Sequence, residues 1–277
     1  MRAVLILLLF TLPVVSQILP GRLSGRSWSF RSAGAASDWF NGLVPTNGLI
    51  SYWRMDESSP GTNAVTRVDS FSGYNLTDNS PFAASTTGII TNAVDLELSN
   101  SEYLSKTDNA DLSLGTNVPF SVVAWVNMES KVASGSISVI ASKDGNTSGT
   151  REWNLFYNGT ADRFSFLVGR TGSATTDSVT STNLGSPSTG TNYMVVGTFE
   201  PSANTLRIYV NTNAVDTFGA KTIDPPDSSQ AVQVGRYGTT SYWDGGVDEV
   251  SVWKTVLSSA NISNLWNGGA GLDLRRP

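Results

Sequence analysis

Residues 242–268 read YWDGGVDEVSVWKTVLSSANISNLWNG. A Gly-Gly turn leads into an apolar run that ends at Trp253. A second stretch then opens on Ser258, carries Ile262, Leu265 and Trp266 at helical spacing, and closes on Gly268. The first run predicts a strand and the second a short helix with Ser258 as N-cap. Asp248 and Glu249 interrupt the strand. A carboxylate among apolar neighbours is costly unless something compensates it. Side chains of a regular strand alternate between faces, so Glu249 is expected opposite Asp248, in solvent or paired with Arg236 or Lys254.

Working back from this stretch, short apolar runs separated by turn clusters begin at Gly48. GLISYWRMDE reads as a first strand. VDLELSNSEYLS alternates Val94, Leu96 and Leu98 against Asp95, Glu97 and Ser99, the pattern of a half-exposed strand. PFSVVAWVNM is apolar on both faces and predicts a central strand, with Val123 and Trp125 opposite Val122, Ala124 and Val126. Asn158-Gly159 lies between two aromatic runs and predicts a hairpin, and a further hairpin is expected around Asn211-Thr212-Asn213. The stretch 170–190 is poor in apolar residues and reads as a loop or edge excursion. This rhythm, with no helix between strands, points to an all-β, two-sheet antiparallel sandwich with one short C-terminal helix.

Composition narrows the chemistry. The 277 residues contain no cysteine and no histidine. Thiolate nucleophiles, Cys- or His-ligated zinc, His-dependent triads and histidine pH switches are therefore excluded. The formal charge of −5 argues against a nucleic-acid partner. The first residues, MRAVLILLLFTLPVVSQ, match a secretory signal over 1–16, with no membrane span expected after its removal and a secreted, cell-surface or virion-associated destination. Residues 17–47, rich in Gly, Ser, Arg and Ala, read as a linker or arm, and 269–277 as a tail.

The order of these phrases resembles the laminin G-like family of concanavalin A-like jelly rolls over about residues 48–268. GLISYWRMDE, DSFSGYNLT, NAVDLELSNSEYLS, FSVVAWVN, SVIASKD and TLRIYVNTNAVDTF carry the likeness, and the 242–268 stretch is its most specific part. NYMVVGTF stands where the family often has an aromatic-His-His segment. The resemblance implies a jelly roll and a calcium site where the first and last strands meet, here Asp69 with Asp248. Calcium needs six to eight oxygens, partly from carbonyls. The competing reading makes Asp248 a strut that accepts hydrogen bonds from a neighbouring turn.

Two functional readings follow. Glycan recognition needs aromatic faces beside polar groups. Tyr237, Tyr242 and Trp243 next to Arg236 and Asp244 are the leading candidates, and Trp153 with Arg151 and Asn154 forms a second group. An exposed Trp243 would favour a sugar site. Trp243 buried in an apolar patch would favour a structural or adhesion module that contacts other proteins. Catalysis is not expected: Asp95 and Glu97 share a strand face, but the third carboxylate of the fold's glucanases is missing.

Overall fold

A computed structural model of the chain describes residues 43–79, 81–115, 117–173, 175–219 and 224–275. The predicted signal segment and most of the predicted linker lie outside the described residues. Strands follow one another in the order β1 (Leu49–Trp53), β2 (Thr66–Arg67), β3 (Leu76–Asn79), β4 (Ala84–Thr87), β5 (Asn92–Leu96) and β6 (Tyr103–Lys106). The middle of the chain supplies β7 (Phe120–Met128), β8 (Ile137–Asp144), β9 (Arg151–Asn158), β10 (Arg163–Gly169) and β11 (Thr176–Thr180). Last come β12 (Asn192–Glu200), β13 (Thr205–Val210), β14 (Asp216–Phe218), β15 (Val232–Val234), β16 (Gly245–Trp253) and the helix α1 (Ser259–Trp266).

These strands form two antiparallel sheets of eight. The front sheet runs β14-β13-β12-β7-β16-β5-β4, with β1 also paired to β16, and the back sheet runs β11-β10-β9-β8-β15-β6-β3-β2. Both predicted hairpins form. β9 and β10 pair around Asn158-Gly159, and β13 and β14 pair across the 211–215 loop. The stretch read as a loop or edge excursion contributes β11, the edge strand of the back sheet.

β7 explains the layering. Phe120, Val122, Ala124, Val126 and Met128 point between the sheets into the main core. Val123 and Trp125 point the other way, into a second cluster with Trp253, Ile262, Leu265 and Leu274. The front sheet is thus covered on its outer face by α1. The helix is held by a capping box: the Asn261 amide donates to Ser258 Oγ at 3.2 Å, and the Ser258 amide donates to Asn261 Oδ1 at 3.0 Å. Burying Ile262 and Leu265 contributes about 1.5–3 kcal/mol each. Trp266 stacks on Trp125, ring centres 4.9 Å apart at 11°. Packing reaches beyond the expected 48–268 limits, since Val44 and Leu274 are both buried.

Gly197 on β12 lies against the ring of Phe166 on the facing sheet, where an added Cβ would stand 2.2 Å from the nearest ring carbon. Gly197→Ala is expected to lower unfolding free energy by about 1–3 kcal/mol, because the two sheets must part or the ring must leave its rotamer. Denaturant unfolding of the variant checks this, and an unchanged midpoint would mean that the sheets part freely there.

Candidate functional site

The acidic pair sits where the neighbour of β16 changes. Along one side β16 pairs with β7 throughout; along the other it pairs with β5 at residues 245–247 and with β1 at 250–253. Between these registers β16 carries one extra residue: Asp248 lies opposite Trp125, yet Ser251 lies opposite Val123. Glu249 adopts φ +49° at this bulge. The expected alternation therefore fails, and Glu249 is buried on the outer face with Asp248, not in solvent and not paired with Arg236 or Lys254.

Each acid has a separate task. Asp248 Oδ2 accepts from the amides of Ile89 at 2.8 Å and Ile90 at 3.3 Å, and Oδ1 accepts from the Glu249 amide at 2.9 Å. It ties the β4–β5 turn to the central strand. Burial pushes its carboxyl up to about 7, and the three N–H donors act against that rise. Glu249 accepts from the hydroxyl of Tyr52 and lies 3.9 Å from Arg54 Nε. Burial, then the charge of Asp248, raises its carboxyl well above the usual range. Arg54 also pairs with Asp56 and, at 3.2 Å, with Asp273, while the Leu274 amide donates to Tyr52 Oη. The segment read as a tail is thereby fastened to β1.

Asp69 belongs to a different loop. Its Oδ1 accepts from the amides of Tyr52 and Phe71 and its Oδ2 from that of Tyr74, each at 2.9 Å. Both acids of the expected calcium pair are thus engaged by backbone donors. Among the described residues no group of three or more acidic side chains is arranged to hold a metal. Asp248 makes the contacts to a neighbouring turn that the strut reading expects.

The connection from β15 to β16 carries the predicted sugar-binding residues, and the structure separates them. Trp243 is fully buried in the main core between the sheets, so it presents no face to a ligand. Its burial belongs to the sandwich itself and not to a surface patch, so it favours neither the sugar site nor the adhesion module. Asp244 works as a brace: it accepts from the Leu98 amide at 3.1 Å and from the hydroxyl of Ser130. Tyr237 closes a tight turn by pairing with Thr240.

Arg236 and Tyr242 do come together, with a third partner that sequence spacing does not reveal. The guanidinium carbon of Arg236 lies 3.2 Å from the ring centre of Tyr103 on β6 and 5.8 Å from that of Tyr242. The two rings meet edge to face, with centres 6.4 Å apart. Arg236 Nη1 donates to Tyr242 Oη at 3.2 Å. All three side chains are half-buried. Tyr242 also lines an open hollow of about 290 Å³ with Leu98, Ser136, Ile137, Thr240 and Ser241. The sequence signal for Tyr103 is its place in the exposed register of a strand. Only the pairing of β6 with β15 brings it to Arg236.

The second group dissolves. Trp153 is core, Asn154 is buried, and Arg151 reaches Asn146 at 2.6 Å and Asp144 at 3.7 Å. Asp95 lies on β5 and Glu97 just past its end, at the start of the turn that follows, and Asp244 and Glu129 stand near them. Burial, followed by mutual repulsion with these neighbours, raises the carboxyls of Asp95, Glu97 and Glu129.

Comparison with known proteins agrees with this architecture. The sequence model of the "Concanavalin A-like lectin/glucanases superfamily" matches residues 98–263. No curated protein sequence matched. Among solved structures, domain 4 of AbnA, a GH43 extracellular arabinanase from Geobacillus stearothermophilus, solved with arabinotriose, aligns at TM-score 0.55 and 14% identity, over 78% of this chain and 97% of that one. The binding domain of Paraclostridial Mosquitocidal Protein 1 aligns at TM-score 0.64 and 10% identity, and that of botulinum neurotoxin serotype D at 0.59 and 15%. Each covers 80% of this chain, which spans only 52% of either toxin domain. At such identities the likeness is one of fold.

Proposed function

Because the chain belongs to the concanavalin A-like lectin/glucanases superfamily, we propose that it is a non-catalytic glycan-binding module of an exported or surface protein, contacting sugar through Tyr103, Arg236 and Tyr242. One observation carries this reading: two half-exposed tyrosine rings flank a guanidinium beside a hollow rimmed with hydroxyls. Aromatic faces take the C–H side of a sugar ring while N–H and O–H groups take its hydroxyls. The structural neighbours add support at the level of fold, one of them having been solved with arabinotriose and another being described as dependent on two ganglioside molecules for cell entry. No helix among the described residues is long and apolar enough to cross a membrane.

A glycan array probed with the chain in calcium and again in chelator tests this. Binding is expected in both conditions, because Asp69 and Asp248 already accept three backbone hydrogen bonds each. Tyr242→Ala is expected to weaken binding at least about tenfold with unchanged melting, since the side chain is half exposed and its loss leaves the core intact. An array blank in both conditions would overturn the reading. Bound oligosaccharides are expected to be recovered uncleaved.

A further inference from the structure

We propose that Arg236 selects glycans bearing a carboxylate, a uronic or sialic acid type of residue, at the Tyr103–Tyr242 surface; this rests on the glycan-binding reading. The reason is an imbalance of charge. Arg54, Arg67, Lys143, Arg151 and Arg170 each have a carboxylate within ion-pair reach. Arg236 is half-buried, yet among the described residues no carboxylate pairs with it. Its hydrogen bond goes to a neutral phenol, and its Nε is buried without a partner. A guanidinium carries five N–H donors; with Nε closed to solvent and one Nη1 hydrogen on Tyr242, the donors left for a ligand are the remaining ones on the two terminal nitrogens.

The tyrosines limit where that fork can point, since the guanidinium carbon sits 3.2 Å over the Tyr103 ring centre and Nη1 is held by the Tyr242 hydroxyl. A carboxylate is itself planar and accepts two parallel N–H bonds in that geometry, whereas a neutral hydroxyl accepts one. A uronic or sialic acid sugar can thus place its carboxylate on the fork, its ring face on tyrosine and its hydroxyls among Ser136, Thr240 and Ser241, which border the adjoining hollow. Nothing in the stack competes for the anion, since both flanking side chains are uncharged phenols.

The test is titration calorimetry of the whole chain with matched pairs of oligosaccharides: a uronate oligomer against its carboxyl-reduced form, and a sialylated glycan against its desialylated form. The acidic member of at least one pair is expected to bind about 10- to 100-fold more tightly, the yield of a charge-assisted bidentate contact. Arg236→Gln is expected to erase that preference, lowering affinity for the acidic member by more than for the neutral one. Equal affinity within both pairs, with binding intact, would overturn the inference and leave the glycan-binding reading standing. A sulfated, carboxyl-free oligomer that binds as tightly as the uronate would also overturn it, by showing that charge alone suffices. Absence of binding to every member would overturn both. Because the paired ligands are compared on the unaltered protein, the comparison stands even where the variant fails to fold.

Discussion

Lys143→Met is expected to lower the free energy of unfolding by about 3–5 kcal/mol, the range for breaking a buried ion pair from one side. Lys143 and Glu152 are both fully buried. The ammonium pairs with Glu152 and donates to the carbonyl of Ser228, and it lies 3.0 Å from Asp108. Glu152 in turn accepts from the amides of Leu114 at 3.0 Å and Ser228 at 2.8 Å. One ion pair therefore anchors two irregular segments, the one before β7 and the one before β15, to the back sheet. Methionine fills the space of the lysine stem but strands the carboxylate. The double variant Lys143→Met/Glu152→Gln is expected to regain part of the loss, since the glutamine oxygen still accepts from Ser228 while no charge is left buried. Urea unfolding of wild type and both variants checks this. A single variant within about 1 kcal/mol of wild type would show that water reaches the pair.

The second large effect is a dependence of stability on pH that runs opposite to ordinary acid denaturation. Asp248 titrates near the ordinary 3.8 when unfolded and at about 7 when folded. Between those values the folded state holds a proton that the unfolded state has released, so stability from this group is full below about pH 4 and is lost as pH rises through 7. From pH 5 to pH 8 the loss amounts to roughly 2–3 kcal/mol at 1.36 kcal/mol per unit. Glu249, raised for the same reason, acts in the same direction. Asp162 and Asp273, whose carboxyls are lowered, act against it below pH 4. Asp248→Asn removes the titration, so the difference in unfolding free energy between pH 5 and pH 8 is expected to shrink by that amount relative to wild type. An identical pH profile in the variant would mean that Asp248 stays ionised, held by its three amide donors.

How far the sequence reveals this molecule depends on how local each feature is. The Asn158-Gly159 hairpin, the Ser258 cap and the two-faced strand β7 are properties of neighbouring residues, and all three are present as expected. The bulge at Glu249 is not local. It arises because β5 ends and β1 begins alongside one strand, and no alternation count within GGVDEVSVW contains that information. Trp243 escapes sequence reading for a related reason: its polar neighbours suggest a loop surface, but the chain crosses between sheets there and drops its indole into the core. Arg236 and Tyr242 are legible as a polar-aromatic cluster. Tyr103 is not, because strand pairing alone makes it their neighbour.

The position of β16 also sets a timetable for synthesis. It is the last strand among the described residues, yet it lies at the centre of the front sheet, between β7 on one side and β5 and β1 on the other. Until residue 253 has left the ribosome, β7, β5 and β1 each expose an unpaired edge, and the closing contacts join Leu49 to Trp253 across most of the chain. Such long-range closure is slow and leaves adhesive strands open in the interval. A nascent chain that stalls before β16 is complete holds β14-β13-β12-β7, β5-β4 and β1 as separate pieces, because β16 is the strand that joins them.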